Sequence, residues 1–345
     1  MTARAFLAAI GVIAGLGFFT ASAQAKPPTV VNCGGARGLT SIQEAVDVTS
    51  GPETIFIEGT CTEDVTITKD DITLSGNQAA IGCNKADPSA SAGAMIDGTI
   101  TVDGVRATIE HLVITGSGSG VEIINRANVH LTCNDISNNE KWGVDVLRSS
   151  NAVLKKNTLS GNGTRETDPF IFFDVGLFAG DASSVQSLGN TYKDNQYAAI
   201  DIDRQSSFRN GAFLPREPGG GPADPDERDV ITQRGCNPDG TGCFSGAVAI
   251  EIFNGGSVDL RNADVNGEME VVGLSSFRVD ADADIQGNIL NNANSVVRLK
   301  DRSFLGDREV TFDGTLTCDA SSVSYFSNVQ CGQTCTGSIP GTCSP

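Results

Sequence analysis

Basic and aromatic residues are scarce in this chain. Lys and Arg number 24 against 42 Asp and Glu, a net charge of −18, and aromatics make up 6% of 345 residues. Such a surplus of acid excludes nucleic acid and anionic membrane surfaces as partners, because both are bound through surplus Lys and Arg. Only two histidines occur, His111 and His130. They fall on neighbouring repeats in different positions and read as structural or solvated. Beyond Phe19 there is no long apolar run, so no membrane span is expected after the N-terminal segment. Helical periodicity is nearly absent. No phosphate-cradling glycine loop, no cysteine nucleophile with a base and no Ser-His-Asp arrangement stands out. What remains is 39% apolar residues and 40 Gly, ordinary for a folded chain, which excludes disorder over the whole length.

The N-terminus reads as a signal peptide over residues 1–25. Arg4 supplies the charged start, Ala5 to Phe19 the apolar run, and Ala21-Ser22-Ala23 or Ala23-Gln24-Ala25 the small-residue cleavage site. The run is short for a membrane span. Export predicts a secreted or periplasmic protein and an oxidising compartment. The ten cysteines fit disulfides there. Cys236 and Cys243 enclose a Pro- and Gly-containing turn and are expected to pair. Cys33 with Cys61 is the expected N-terminal staple. Cys318, Cys331, Cys335 and Cys343 crowd the end of the chain and would staple a tail. Zinc at Cys331 and Cys335 is disfavoured, since no histidine accompanies them.

An internal repeat dominates the rest. It shows at Asn128 to Asn139, again at Asn151 to Asn162, and again at Ser184 to Asn195. In each, one Asn precedes an apolar residue by two positions and a second Asn follows it by three. That apolar position predicts a column Ile114, Ile136, Leu159, Tyr192, Val265, Ile285 and Leu305, with insertions lengthening two of the steps. Short period-two segments lie within the repeats: Gly120 to Ile123, Gly143 to Val146, Ala199 to Ile202 and Ala249 to Ile252. Strands this short bury an inner face only if successive coils stack, which makes a solenoid. The recurrent Asn is expected at tight corners, in left-handed backbone, with its amide bonding the next coil. Ser41 and Glu44 form a capping box for a short helix that presents Ile42, Ala45 and Val46 on one face and covers the first open coil.

Ser41 to Val46, Thr54 to Thr60, Val65 to Lys69 and Ile72 to Gly76 together resemble the opening of the pectin-lyase-like right-handed parallel β-helix proteins. The later Asn-bearing coils are similar to their generic repeats, so the resemblance runs from about Thr40 to Asp307. It implies an all-β fold, a right-handed parallel β-helix (solenoid) with a short N-terminal capping helix and a disulfide-rich C-terminal tail. The expected layout is a signal peptide at 1–25, a β-helix at 26–310 with loop insertions at about 163–173 and 211–246, and a tail at 311–345. The family includes pectate lyases, polygalacturonases, alginate epimerases and lyases, and proteins with no known catalysis. The paired-Asp and Gly-His-Gly signatures of polygalacturonases are missing, as is the Tyr-Gly-Phe-Asp-Pro-His pattern of alginate epimerases.

Aligning the coils on Val121, Val144, Leu177, Ile200 and Ile250 places Glu122, Asp145, Phe178, Asp201 and Glu251 in one outward stripe. Asp145 and Asp201 are the candidate catalytic acids and candidate metal ligands. Crowded carboxylates favour a bound Ca²⁺ or a raised pKa. A Ca²⁺ would neutralise a uronate carboxylate and acidify the neighbouring C–H, as a lyase or epimerase needs. Alternatively, two rungs of about 10 Å approach the separation of an inverting glycosidase pair. Arg148 and Arg204, each three residues after an acid, are candidate partners in carboxylate binding or proton abstraction. Glu122, Phe178, Glu251 and Asp203 are candidate substrate-binding residues, Phe178 by stacking on a sugar ring. Asp224, Asp226 and Asp229, and Asp280, Asp282 and Asp284, have alternating acids but lack the rest of a calcium loop. Two functions stand side by side: binding or processing of a polysaccharide or cell-surface glycan, including uronate-containing ones, and a non-catalytic exported scaffold or adhesin-like protein whose acids are merely solvated.

Overall fold

The computed structural model describes residues 29–331 apart from 36–37, 77–93, 117, 164–173, 212–227, 237–242, 281–282, 301–309, 319–321 and 328–329. The expected signal peptide, most of the 163–173 insertion and the Cys335 and Cys343 staple lie outside the described residues, as do the side chains of Cys318 and Cys331.

Period-two alternation organises the chain into short strands, and every pairing between the named strands is parallel. One coil illustrates the rest. Val121–Ile124, Asn128–Thr132 and Asp135–Asn139 run in turn around the axis, and Val144–Val146 then settles beside Val121–Ile124 one coil on. The result is a parallel β-helix with three ladders. One is a separate ten-stranded sheet; the other two merge through Glu53–Cys61, which pairs with Ile72–Gly76 along one part and Ala94–Asp97 along the other. Inward residues form apolar columns, such as Val129, Ala152, Val185, Phe208, Val258, Phe277 and Val297, all buried. No single strand could bury such a face alone.

The predicted column holds from Ile114 through Ile136 and Leu159 to Tyr192. Beyond it, Ile231 pairs with Tyr192, Val265 with Ile231, Ile285 with Val265, and Phe312 with Ile285. Two expectations are therefore corrected. The 211–246 interval is not one loop, because Asp229–Thr232 is a strand in the ladder. The partner after Ile285 is Phe312, followed by Cys331, rather than Leu305, which lies outside the described residues. Coils also continue past residue 310, since Val310–Asp313, Leu316–Cys318 and Val323–Ser327 extend all three ladders.

The repeated asparagines form two interior ladders. Asn134 donates from its backbone and side-chain nitrogens to Asn157 Oδ1 at 2.9 and 3.0 Å. Asn157 does the same to Asn190 at 2.8 and 3.0 Å, and Asn190 N donates to Asp229 Oδ1 at 2.7 Å. Each Nδ2 also reaches a carbonyl of the preceding coil, Ile109 O, Leu131 O or Leu154 O. The second ladder joins Asn139, Asn162 and Asn195. The left-handed residue is not the Asn, as expected, but the one before it: Cys133, Lys156 and Gly189 in one ladder, Asn138, Gly161 and Asp194 in the other. That residue turns the corner so that the following amide points inward. Gly143 is required beside the second ladder, because a Cβ there would stand 2.7 Å from Asn162 Nδ2 and 2.6 Å from Gly176 O.

The predicted helix spans Ile42–Val48, with Ile42, Ala45 and Val46 buried. Ser41 Oγ accepts from Glu44 N at 3.2 Å. Glu63, from a later turn, accepts from Ser41 Oγ, Ile42 N and Gln43 N at 2.8, 2.7 and 3.2 Å, which satisfies donors that a helix start leaves open. Both predicted disulfides, Cys33–Cys61 and Cys236–Cys243, are formed, and Cys133 is also disulfide-bonded.

Candidate functional site

The outward row of the ten-stranded sheet carries the predicted stripe. Glu122 pairs with Asp145, Asp145 with Phe178, Phe178 with Asp201, and Asp201 with Glu251. The row continues to Glu270, which is paired with Glu251. Neighbouring rungs stand about 4.8 Å apart. The register is as the spacing predicts, but the exposure is not. Asp145 is 2% exposed, Asp201 3%, Phe178 3% and Glu251 5%.

An apolar cluster separate from the main core explains this burial. Val175, Phe178, Ala198 and Val248 pack together, with Trp142, Leu147 and Tyr197 against them. Trp142 stacks on Phe178 with ring centroids 5.7 Å apart. Phe178 is therefore not an open platform for a sugar, and a ligand approaching this face meets Trp142 first. Tyr197 OH donates to Glu251 Oε1 at 2.8 Å. Trp142, Tyr197 and Glu270 are absent from the predicted site. A signal for them exists in the sequence, since an aromatic stands just before Gly143-Val-Asp-Val and just before Ala198-Ala-Ile-Asp-Ile, while Met269-Glu-Val271 continues the alternation.

Burial dominates the electrostatics. It raises the Asp145 carboxyl from 3.8 to about 8, with Glu122 and Asp181 adding to the rise and Arg204 and Arg148 opposing it. Burial raises Asp201 well above its ordinary value, helped by Glu251 and Asp203. Glu251 rises to about 7 through burial, against the stabilising Tyr197 hydrogen bond. Asp145 and Asp201 each hold one buried oxygen, Oδ1, with no hydrogen-bond partner among the described residues. At neutral pH Asp145 keeps its proton, and burial pushes Asp201 and Glu251 in the same direction.

Arg148, Arg204 and Asp203 sit at the adjoining corner. Arg148 is exposed, and its Nη1 donates to Asn125 Oδ1 at 3.3 Å. Arg204 pairs with Asp181 at 2.8 Å and with Asp203 at 3.0 Å, and Asp203 also accepts from Asn254. Arg204 and Asp203 hold one another at the corner, Arg148 is held by Asn125 instead, and the charges of both arginines reach Asp145.

Two rungs, about 10 Å between backbones, separate Asp145 from Asp201. Glu122 with Asp145, and Asp201 with Glu251, are adjacent-rung pairs of acids, the closer arrangement for sharing a cation. The other candidate acids are structural where described: Asp229 closes the Asn ladder, and buried Asp280 pairs with Arg278. Asp224, Asp226 and Asp282 lie outside the described residues. Cys33, Cys61 and Glu63 come close together, but the two cysteines are joined in a disulfide.

Residues 54–213 match the family described as right handed beta helix region. That stretch belongs to this family, and the described residues as a whole form a right-handed parallel β-helix. No curated protein matches this β-helix. Among solved structures it is similar to an alginate lyase from Paenibacillus sp. str. FPU-7, at 15% identity and TM-score 0.45, covering 88% of this chain and 99% of that one. It is similar to the A-module of the Azotobacter vinelandii mannuronan C-5 epimerase AlgE4, at 13% identity and TM-score 0.42, covering 88% and 92%. It is also similar to the pectate lyase Pel9A, at 11% identity and TM-score 0.40, covering 92% and 81%. Among the described residues, no helix of the β-helix is long and apolar enough to cross a membrane.

Proposed function

We propose that this protein is exported and binds or processes polysaccharide on the outer face of its ten-stranded sheet. The observation that carries this reading is the carboxyl row itself: Asp145, Asp201 and Glu251 stand in register, and burial raises the proton affinity of all three. A carboxyl raised toward neutral pH can give a proton to a sugar oxygen in its acid form, and a neighbour in its deprotonated form can take one from a ring carbon, the steps that hydrolases, lyases and epimerases use. Arg148 and Arg204 border the row and would hold a uronate carboxylate. Trp142, half-exposed above Phe178, offers the aromatic surface for a sugar ring. Where Ca²⁺ assists, it would take an adjacent-rung pair and neutralise a substrate carboxylate. The disulfides support an oxidising compartment, secreted or periplasmic.

The test is incubation of the protein with polygalacturonate, alginate and neutral glycans, with and without Ca²⁺, reading unsaturated products by absorbance and new reducing ends. Product formation that falls about a hundredfold in Asp145→Asn or Asp201→Asn is expected. Absence of product from every polymer overturns the processing reading.

A second reading has its own observation, the near-complete burial of Asp145 and Asp201 beneath the apolar cluster. In a non-catalytic exported scaffold these carboxyls would serve only to join coils. Asp145→Asn would then change stability and nothing else.

A further inference from the structure

Two neighbouring acids of the carboxyl row differ in what they touch. Asp201 and Glu251 stand on adjacent rungs, paired in register, and both are buried. Glu251 has a donor, since Tyr197 OH reaches its Oε1 at 2.8 Å. Asp201 Oδ1 is buried with no hydrogen-bond partner among the described residues.

Tyr197 is held in place for this contact. It directly precedes the strand Ala198–Ile202, which carries Asp201, whereas Glu251 comes from the next coil, in Val248–Ile252. Tyr197 N donates to Asp174 O at 2.9 Å, and Tyr197 O accepts from Val248 N at 2.8 Å. The side chain packs against the cluster of Phe178 and Val248. A hydroxyl from one coil is thereby fixed on the carboxyl of the next. Burial and the nearby Glu251, Glu270 and Asp201 all oppose ionisation of this phenol, so it stays a donor.

The surroundings sharpen the difference between the two acids. Glu251 also faces Glu270, on the following rung, and Asp203. Asp201 faces Glu251, Asp203 and Arg204. Burial raises the proton affinity of both, and the like charges add to the rise. A hydrogen bond to the charged form favours that form, and among the described residues only Glu251 receives one. Arg204 attracts charge onto Asp201, but it lies toward solvent and is already paired with Asp181 and Asp203. Carboxylates one rung apart repel each other, so loss of the first proton holds the second in place.

We infer that Tyr197 is a positioning residue that divides this pair: Glu251 ionises first, Asp201 keeps the proton, and the tyrosine thereby sets the pH at which this part of the row works. In that state the two acids have opposite duties. Asp201 can give a proton to a departing sugar oxygen, and Glu251 can take one from a ring carbon or from water. The proton that Asp201 gives is matched by the one that Glu251 takes, and one proton passed back from Glu251 to Asp201 restores the pair. The inference rests on the preceding reading for the use made of the proton, whereas the order of ionisation belongs to the free protein.

The test is carboxyl-carbon NMR of the full chain, isotopically labelled at Asp Cγ or Glu Cδ and titrated with pH. Asp201→Asn and Glu251→Gln assign the two signals. Glu251 is expected to ionise at lower pH than Asp201. Tyr197→Phe keeps the ring in the cluster and removes only the hydroxyl, and it should raise the Glu251 midpoint by about one pH unit. Glu251→Gln should lower the Asp201 midpoint by removing its charged neighbour. Where a polymer yields product, the acid limb of kcat/KM against pH should move up in Tyr197→Phe together with the Glu251 midpoint. Asp201 ionising first, a Glu251 midpoint unmoved in Tyr197→Phe, or an Asp201 midpoint unmoved in Glu251→Gln each overturns the inference. An acid limb that stays put while Glu251 moves overturns the duties given to the pair. No product from any polymer, with the order of ionisation intact, overturns only the processing reading.

Discussion

Asp145 and Asp201 stand two rungs apart in one outward row with Phe178 between them. Each is buried, and each is further disfavoured as an anion by an acid on the rung beyond, Glu122 for Asp145 and Glu251 for Asp201. A row of this kind makes stability depend on pH. Asp145 titrates at about 8 in the folded chain against 3.8 ordinarily, so between these values the native state holds a proton that the unfolded chain releases. Stability therefore falls as pH rises through that window, and below it Asp145 contributes no pH dependence. Asp145→Asn removes the titration. It should flatten the decline and raise stability at about pH 8 by roughly 1–3 kcal/mol. Thermal melting from about pH 5 to pH 8 for both proteins checks this; parallel curves would exclude Asp145 as the group responsible.

The chain has one tryptophan, and it covers the row. A glycan seated on this face must displace or contact Trp142, so binding there should shift its emission. Trp142→Ala should weaken such binding by roughly 1–2 kcal/mol, read as reduced retention on the same polymer. A ligand that binds tightly without moving the emission binds elsewhere.

Removing one interior amide should cost more than a typical surface change. Asn157 both donates to Leu131 O and Asn190 Oδ1 and accepts from Asn134, so Asn157→Ala leaves several buried groups unpaired. A loss of about 2–4 kcal/mol in urea unfolding is expected. A loss below about 1 kcal/mol would mean that neighbouring coils reclose around the gap.

Glu63 should matter locally rather than globally. Glu63→Ala deprives Ile42 N and Gln43 N of their acceptor and should destabilise the cap by about 1–2 kcal/mol. Hydrogen exchange should quicken over Ile42–Val48 while the coils around Asn157 keep their protection.

The residues differ in how much they reveal alone. Val121, Val144, Leu177, Ile200 and Ile250 align from spacing, because equal coils and period-two alternation leave one register that buries them all. Ile231 does not, since loop residues on both sides hide a strand of four. The same holds for Phe312, where the last long step breaks the period. The left-handed corner residues Cys133 and Lys156 were masked by the more conspicuous Asn that follows each.

By itself the sequence determined the coil, its period, the outward carboxyl row and two disulfides, because each depends on near neighbours or on a repeat that copies itself. Only the tertiary structure decided that Asp145 and Asp201 are covered and that Trp142 lies over Phe178. Burial depends on what packs over a strand from corners and adjacent coils, and alternation says which way a side chain points but not what meets it there.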